Sequence, residues 1–233
     1  GVSRFVGLFA TEVYASRVRE IPLLRRKAEY VMQRARLPET SHSGKNLREI
    51  IHSLPRDELF QTSEPELFQL CMGIRALRDR HQLRLFMRRD RYGRYYTCMV
   101  YLPRERYSFE LRDRIATELG VLFGATTIDR TVEFLRGSLA RIQYTVRTQP
   151  GTTTDLTAEK IEQRLLAITR SWREQMRGVS RPHPTLDGAG LAARFGEAFP
   201  VSYTSTTPAD DAALDVEYLI QLSPDQPVLV RLL

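Results

Sequence analysis

Four histidines, two cysteines and a few glycine-bearing loops are the residues of this 233-residue sequence whose types could do chemistry. His42, His52, His81 and His183 have neither HxxxH nor HxH spacing and no neighbouring cysteine pair, so they offer no metal-ligand set. Each reads as a surface or helix-end residue. Cys71 and Cys98 fall on apolar positions of a helical and a strand pattern and read as small buried hydrophobes. Two such cysteines make no disulfide framework and fit a reducing cytoplasm. No serine sits in a GxSxG elbow. Gly188-Ala-Gly190-Leu-Ala-Ala193 matches the loose GxGxxA form of a dinucleotide loop, but that loop works only behind a buried strand. Arg181-Pro-His-Pro184 stands there instead. Ser43-Gly44-Lys45-Asn46 lacks the first glycine of a phosphate loop and the hydroxyl after its lysine, and reads as the cap of a helix. The residues predict a non-catalytic chain that carries no metal and no cofactor.

Charge is the other candidate. Lysine and arginine number 35 against 28 acids, a net of +7, and all but Lys27, Lys45 and Lys160 are arginine. Residues 71–114 hold 12 arginines and five acids, so that stretch carries the whole excess and the other 189 residues balance. The tail from Thr185 is acidic. Arg91-Tyr-Gly-Arg-Tyr-Tyr-Thr-Cys-Met-Val-Tyr101, inside the basic stretch, raises a single-stranded RNA-binding alternative, because exposed Tyr and Arg on a sheet stack bases. The usual basic, glycine and aromatic pattern is broken here: Gly93 falls in a turn, and Arg94, Thr97 and Met99 interrupt it.

From the N-terminus, Arg4–Ala10 reads as a short strand, and helices follow at 22–37, from a cap at Ser43 to Pro55, and from a cap at Ser63 to Leu77. From Leu83 the period falls to two. Leu83, Leu85 and Met87, a turn at Asp90–Gly93, and Tyr96, Cys98, Val100 and Leu102 make a hairpin with one face more apolar than the other. Ser108 opens a helix that ends near Gly124; a second hairpin turns at Arg136-Gly137; and Thr157 opens a helix carrying Ile161, Leu165, Ile168, Trp172 and Met176 in phase. A helix at 190–199, a helix or helix-plus-strand at 209–222 and an apolar run at 228–233 complete the reading. The order ββαββα predicts an α+β, ferredoxin-like sandwich in which the first strand fills the slot normally taken by the last, a circular permutation. The longest apolar run, Cys98–Leu102, is far short of the ~18 residues of a membrane span.

With these segments in place, the sequence resembles the N-terminal regulatory region of the large bacterial NAD-specific glutamate dehydrogenases. The resemblance rests on Arg4-Phe-Val-Gly-Leu-Phe9, Ile21-Pro-Leu-Leu-Arg-Arg-Lys27, Ser41-His-Ser-Gly-Lys45, Pro55-Arg-Asp-Glu-Leu-Phe-Gln61 and Leu85-Phe-Met-Arg-Arg-Asp-Arg-Tyr-Gly-Arg94. Val100-Tyr-Leu-Pro-Arg-Glu-Arg-Tyr107, Leu139-Ala-Arg-Ile142 and Phe195-Gly-Glu-Ala-Phe-Pro-Val-Ser-Tyr203 continue it. It implies a parent enzyme that deaminates L-glutamate with NAD, and ACT-like domains that sense amino acids or build oligomers. It places the catalytic and NAD-binding parts elsewhere in the parent. A typical ACT domain binds its ligand beside a glycine in the loop after its first strand; Pro103–Tyr107, in that position, has none.

The expected division is therefore residues 1–62 as a strand and helices completing an upstream domain, 63–177 as the ACT-like sandwich, and 178–233 as a helical connector. The missing initiator methionine fits an internal piece of a longer protein. Expected partners are other domains and subunits of the same homo-oligomeric, cytoplasmic enzyme and an amino-acid effector, with no membrane and no nucleic acid. Arg84, Arg88, Arg104 and Arg106, near the first hairpin and the following junction, are the candidate effector or interface residues, since arginine forks match carboxylates.

Overall fold

In a computed structural model the described residues are 11–77, 83–135, 137–149, 151, 154–170, 172–178, 188–196, 198–200, 203–204, 207 and 209–221. They fall into two compact units, residues 1–165 and 166–233. The strand expected at 4–10 and the apolar run at 228–233, together with His81 and His183, lie outside the described residues.

The first unit opens with helices α1 (Thr11–Ala15), α2 (Pro22–Ala35), α3 (His42–Ser53), α4 (Arg56–Gln61) and α5 (Glu64–Leu77), with a 3₁₀ turn at Val18–Glu20. Pro22 takes the first turn of α2, where its missing N–H costs nothing. The cap of α3 is Ser41 rather than Ser43: the Ser41 hydroxyl accepts the Gly44 N–H at 3.0 Å. The helix starts early because Gly44 sits against Pro38, where a side chain's Cβ would come within 2.1 Å of the Pro38 carbonyl oxygen. Gly44 thus serves a close backbone approach, not a phosphate. Ser63 caps α5 as expected, exchanging hydrogen bonds with Glu66 in a capping box.

Strands β1 (Arg84–Arg89), β2 (Tyr95–Pro103), β3 (Thr127–Phe134) and β4 (Leu139–Arg147), with helices α6 (Phe109–Phe123) and α7 (Ala158–Thr169), follow in the predicted ββαββα order. The sheet order is β1-β2-β4-β3, with every pair antiparallel. That is the ferredoxin-like sheet with its last strand moved to the front. The Asp90 carboxylate closes the first hairpin by accepting the Tyr92 and Arg94 N–H groups, and the Arg94 guanidinium holds its carboxyl below the usual range. Gly93 supplies the positive φ of +66°.

One face of the sheet buries Cys98, Val100, Ile142, Tyr144 and Val146, with Tyr96 lying 4.6 Å from the Phe123 ring of α6. The opposite face is buried as well. Met99, Tyr101 and Leu139 join one cluster with Leu47, Ile50, Leu54, Leu67, Cys71 and Ile74 of the helices, and Phe86 packs against it. The less apolar face of the hairpin is thus covered too: β2 is buried at every residue after Tyr95. Helices α2–α5 form a second layer, and residues such as Met99 and Tyr101 serve either a buried or a wet face, so the period alone did not reveal it. Gly73 lets α5 approach the sheet, since a Cβ there would meet the Phe86 ring at 2.6 Å.

In the second unit, α8 (Trp172–Arg177), α9 (Gly188–Phe195) and α10 (Ala209–Gln221) bury Met176, Phe195, Ala209, Ala212 and Val216. The single helix expected over 157–176 is two helices. Its apolar phase runs on, but Ile161 and Leu165 are buried in the first unit and Met176 belongs to the core of the second. No helix among the described residues is long and apolar enough to cross a membrane.

Candidate functional site

The chemistry of the first unit is concentrated where the helical layer meets the sheet. Glu58 of α4 is only 3% exposed, and Arg88 of β1 takes its carboxylate with both prongs, Nε to Oε2 at 2.9 Å and Nη2 to Oε1 at 2.8 Å. The same Nη2 donates to the Gln61 side chain, which also accepts the Tyr95 hydroxyl at 2.8 Å. The hydrogen bonds from Arg88 to the Glu58 carboxylate raise the pKa of the Arg88 guanidinium. Such a bidentate pair fixes orientation as well as distance. It clasps α4 onto the β1–β2 hairpin.

Two further clasps lie along the sheet. Arg141 of β4 is 4% exposed, donates to the Ser53 carbonyl at the end of α3 and pairs with Glu133 across the β3–β4 ladder. At the other edge, Glu162 of α7 accepts the Leu85 N–H at 2.8 Å and pairs with Arg84, so a side chain takes the place of a further strand there. Lys27 of α2 lies beneath α4, its ammonium donating to the carbonyls of Leu59, Phe60 and Thr62 at 2.8, 2.8 and 2.6 Å. These are orphan acceptors at a helix end, satisfied by one buried charge. Burial pushes the Lys27 pKa down from its usual value.

Of the four arginines singled out by the sequence, Arg84 and Arg88 share strand β1 and hold Glu162 and Glu58. Arg104 and Arg106 lie in the 3₁₀ turn after β2, with the Arg104 guanidinium 4.8 Å above the Phe134 ring. The first pair points its charge at helices of its own chain, and Arg104 faces the β3–β4 hairpin. The residues that spacing did not flag are Lys27, Glu58, Gln61, Arg141 and Glu162. Glu58 and Gln61 sit on α4, a six-residue helix too short to show a period. Cys71 and Cys98 are buried as expected, and burial pushes both thiols up to about 12.

The RNA alternative needs an open sheet face. Tyr101, at 0% exposure, and Met99 are covered by the helical layer, and Tyr96 is packed on α6. Of the aromatic residues in that segment only Tyr92 is broadly exposed, and it lies with the exposed Arg91 and Arg94 in the turn rather than on the sheet face. A dinucleotide site is no better served: the described sheet is wholly antiparallel, with no βαβ crossover to aim a helix N-terminus at a pyrophosphate.

His52 of α3 borders a cavity of about 540 Å³ that also takes in Ser53, Ile74, Glu133, Phe134 and Ser138. Burial, then the charges of Arg56, Arg48, Arg19 and Arg17, push its pKa below the ordinary 6.5. The unfolded chain therefore binds a proton first as pH falls, and stability is lost on acidification from about 6.5 down to the lower folded value. A single proton gives a slope of at most about 1.4 kcal/mol per pH unit. Urea midpoints measured from pH 7 to 5 are expected to fall less steeply in His52→Gln than in the wild type.

A ferredoxin-like sheet sealed by a helical layer on one face and by its own two helices on the other defines an ACT-like domain built into a larger helical frame. Residues 84–173 match the family model of the glutamate dehydrogenase ACT2 domain, 21–80 that of glutamate dehydrogenase helical motif 1, and 182–222 that of helical motif 2. The chain belongs to the glutamate dehydrogenase family. It is 34% identical over 238 residues to the NAD-specific glutamate dehydrogenase of Halomonas elongata, covering 100% of this chain and 14% of that protein. The Pseudomonas aeruginosa enzyme of the same name is 33% identical over 97% of this chain and 14% of its own length. The one from Mycobacterium tuberculosis is 27% identical over 97% of this chain and 15% of its own length. The chain thus spans about one seventh of the relatives it matches.

Proposed function

We propose that this chain is a non-catalytic regulatory and scaffolding segment of an NAD-specific glutamate dehydrogenase. The parent would convert L-glutamate, NAD and water to 2-oxoglutarate, ammonia and NADH, with NAD and substrate held by other parts of it. The observation that carries this reading is the sheet sealed on both faces and clasped by buried ion pairs: a body built to hold position rather than to turn over a substrate. Arg84 and Arg88 serve as internal interface residues in this reading. The exposed β3 edge, with Phe134 and Phe109 beside it, offers contact to neighbouring domains or subunits of a homo-oligomer. An amino-acid effector would act by binding one arrangement of those contacts better than another.

Deleting residues 1–233 from the parent enzyme tests this. The expected result is a change in assembly size by light scattering, or in the response of NADH production to amino acids, with single-turnover chemistry retained. Unchanged size and unchanged kinetics would overturn it, as would loss of the chemical step in a correctly assembled variant.

A further inference from the structure

We propose that the helical layer binds a small, multiply charged anion, with carboxylate or phosphate groups, in a cavity of about 620 Å³ between the Val18–Glu20 turn, α2 and α3. The inference concerns binding by this chain alone and does not depend on the parent's activity. Arg17, Arg19, Arg25 and Arg48 line the cavity together with His52, against two acids, Glu29 and Glu39. Glu39 is committed to Arg48. Among the described residues, Arg17, Arg19 and Arg25 reach no carboxylate within ion-pair distance, although Glu29 lies one helical turn from Arg25. Arg56, behind His52, is spent on carbonyls, its Nη2 donating to Ser16 at 3.0 Å, and brings no negative charge.

Arginines spread on a surface are ordinarily solvated and need no partner. Arg17, Arg19 and Arg25 are themselves exposed, but they rim one half-open cavity floored by the buried apolar side chains of Val18, Met32 and Ile51, so their like charges face one another across it. The repulsion is relieved when an anion enters, and planar guanidinium forks match carboxylate and phosphate oxygens. Three uncommitted forks favour a ligand with more than one anionic group. The volume lies within the ~300–1,000 Å³ of small-molecule sites.

Isothermal titration of the 233-residue chain at low ionic strength, with succinate, pyrophosphate and neutral succinamide, is the test. Saturable heat is expected with at least one anion and none with succinamide, and the stronger anion identifies carboxylate or phosphate as the group preferred. Arg19→Gln/Arg25→Gln, at two exposed positions, is expected to weaken binding by about tenfold or more. Glu29→Gln, which removes a competing acid, is expected to tighten it, a gain that no misfolded variant would produce. No saturable heat from either anion overturns the proposal, as does equal affinity in Arg19→Gln/Arg25→Gln and the wild type.

Discussion

Arg88→Ala is expected to cost the first unit about 3–5 kcal/mol, because it leaves the Glu58 carboxylate charged, buried and without its two strongest hydrogen bonds. Gln61 and Tyr95 lose a shared partner in the same step. Arg88→Lys is expected to recover only part of this, since an ammonium cannot span both carboxylate oxygens as a fork does. Arg88→Met combined with Glu58→Met removes both charges together and is expected to be far less harmful than either single change, because no ion is stranded. Urea unfolding followed by helix circular dichroism measures each of these variants. A loss under about 1 kcal/mol for Arg88→Ala, the scale of an exposed pair, would show that the clasp is solvated.

Lys27→Met is expected to be the second most damaging change, at about 2–4 kcal/mol, because the Leu59, Phe60 and Thr62 carbonyls lose one common donor beneath α4. Methionine keeps the length and apolar stem of the side chain, so the cost isolates the ammonium. The more telling variant is Lys27→Arg. The chain uses arginine at 32 of its 35 basic positions, so composition alone would predict that arginine is tolerated here. The geometry predicts the reverse: three carbonyls converge on one nitrogen, and a planar fork cannot aim three donors at one point in a buried space. Equal thermal midpoints for Lys27→Arg and wild type would contradict this reading.

Much of this was legible beforehand. The change of period at Leu83, the caps at Ser63 and Ser108 and the left-handed Gly124 fixed the ββαββα order, and the order restricted the sheet to one arrangement. The second layer was not legible: Thr97, Met99 and Tyr101 have side chains that suit a buried or a half-wet face equally well. The clasps were hidden for a related reason. Glu58 is polar, buried and on a helix of one and a half turns, so neither hydropathy nor period marks it, and Arg141 looks like any other arginine on a strand. Yet Lys27, Gly44, Glu58, Gln61, Arg88 and Arg141 all lie within the segments that carried the family resemblance. Three of those segments, 55–61, 85–94 and 139–142, hold side chains that fasten the helical layer to the sheet.

The central claim is that helices 22–77 and the four-stranded sheet open as one body, so that a force on either is felt by both. Hydrogen exchange of the 233-residue chain in rising urea, read for peptides from α4, α5, β2 and β4, tests it most directly. The account predicts that these peptides merge into one opening free energy, and that Arg88→Ala lowers it in α4 and β2 together. If α4 and α5 opened at much lower free energy while β2 and β4 stayed protected, the helical layer would be a loose cover and the account would fail.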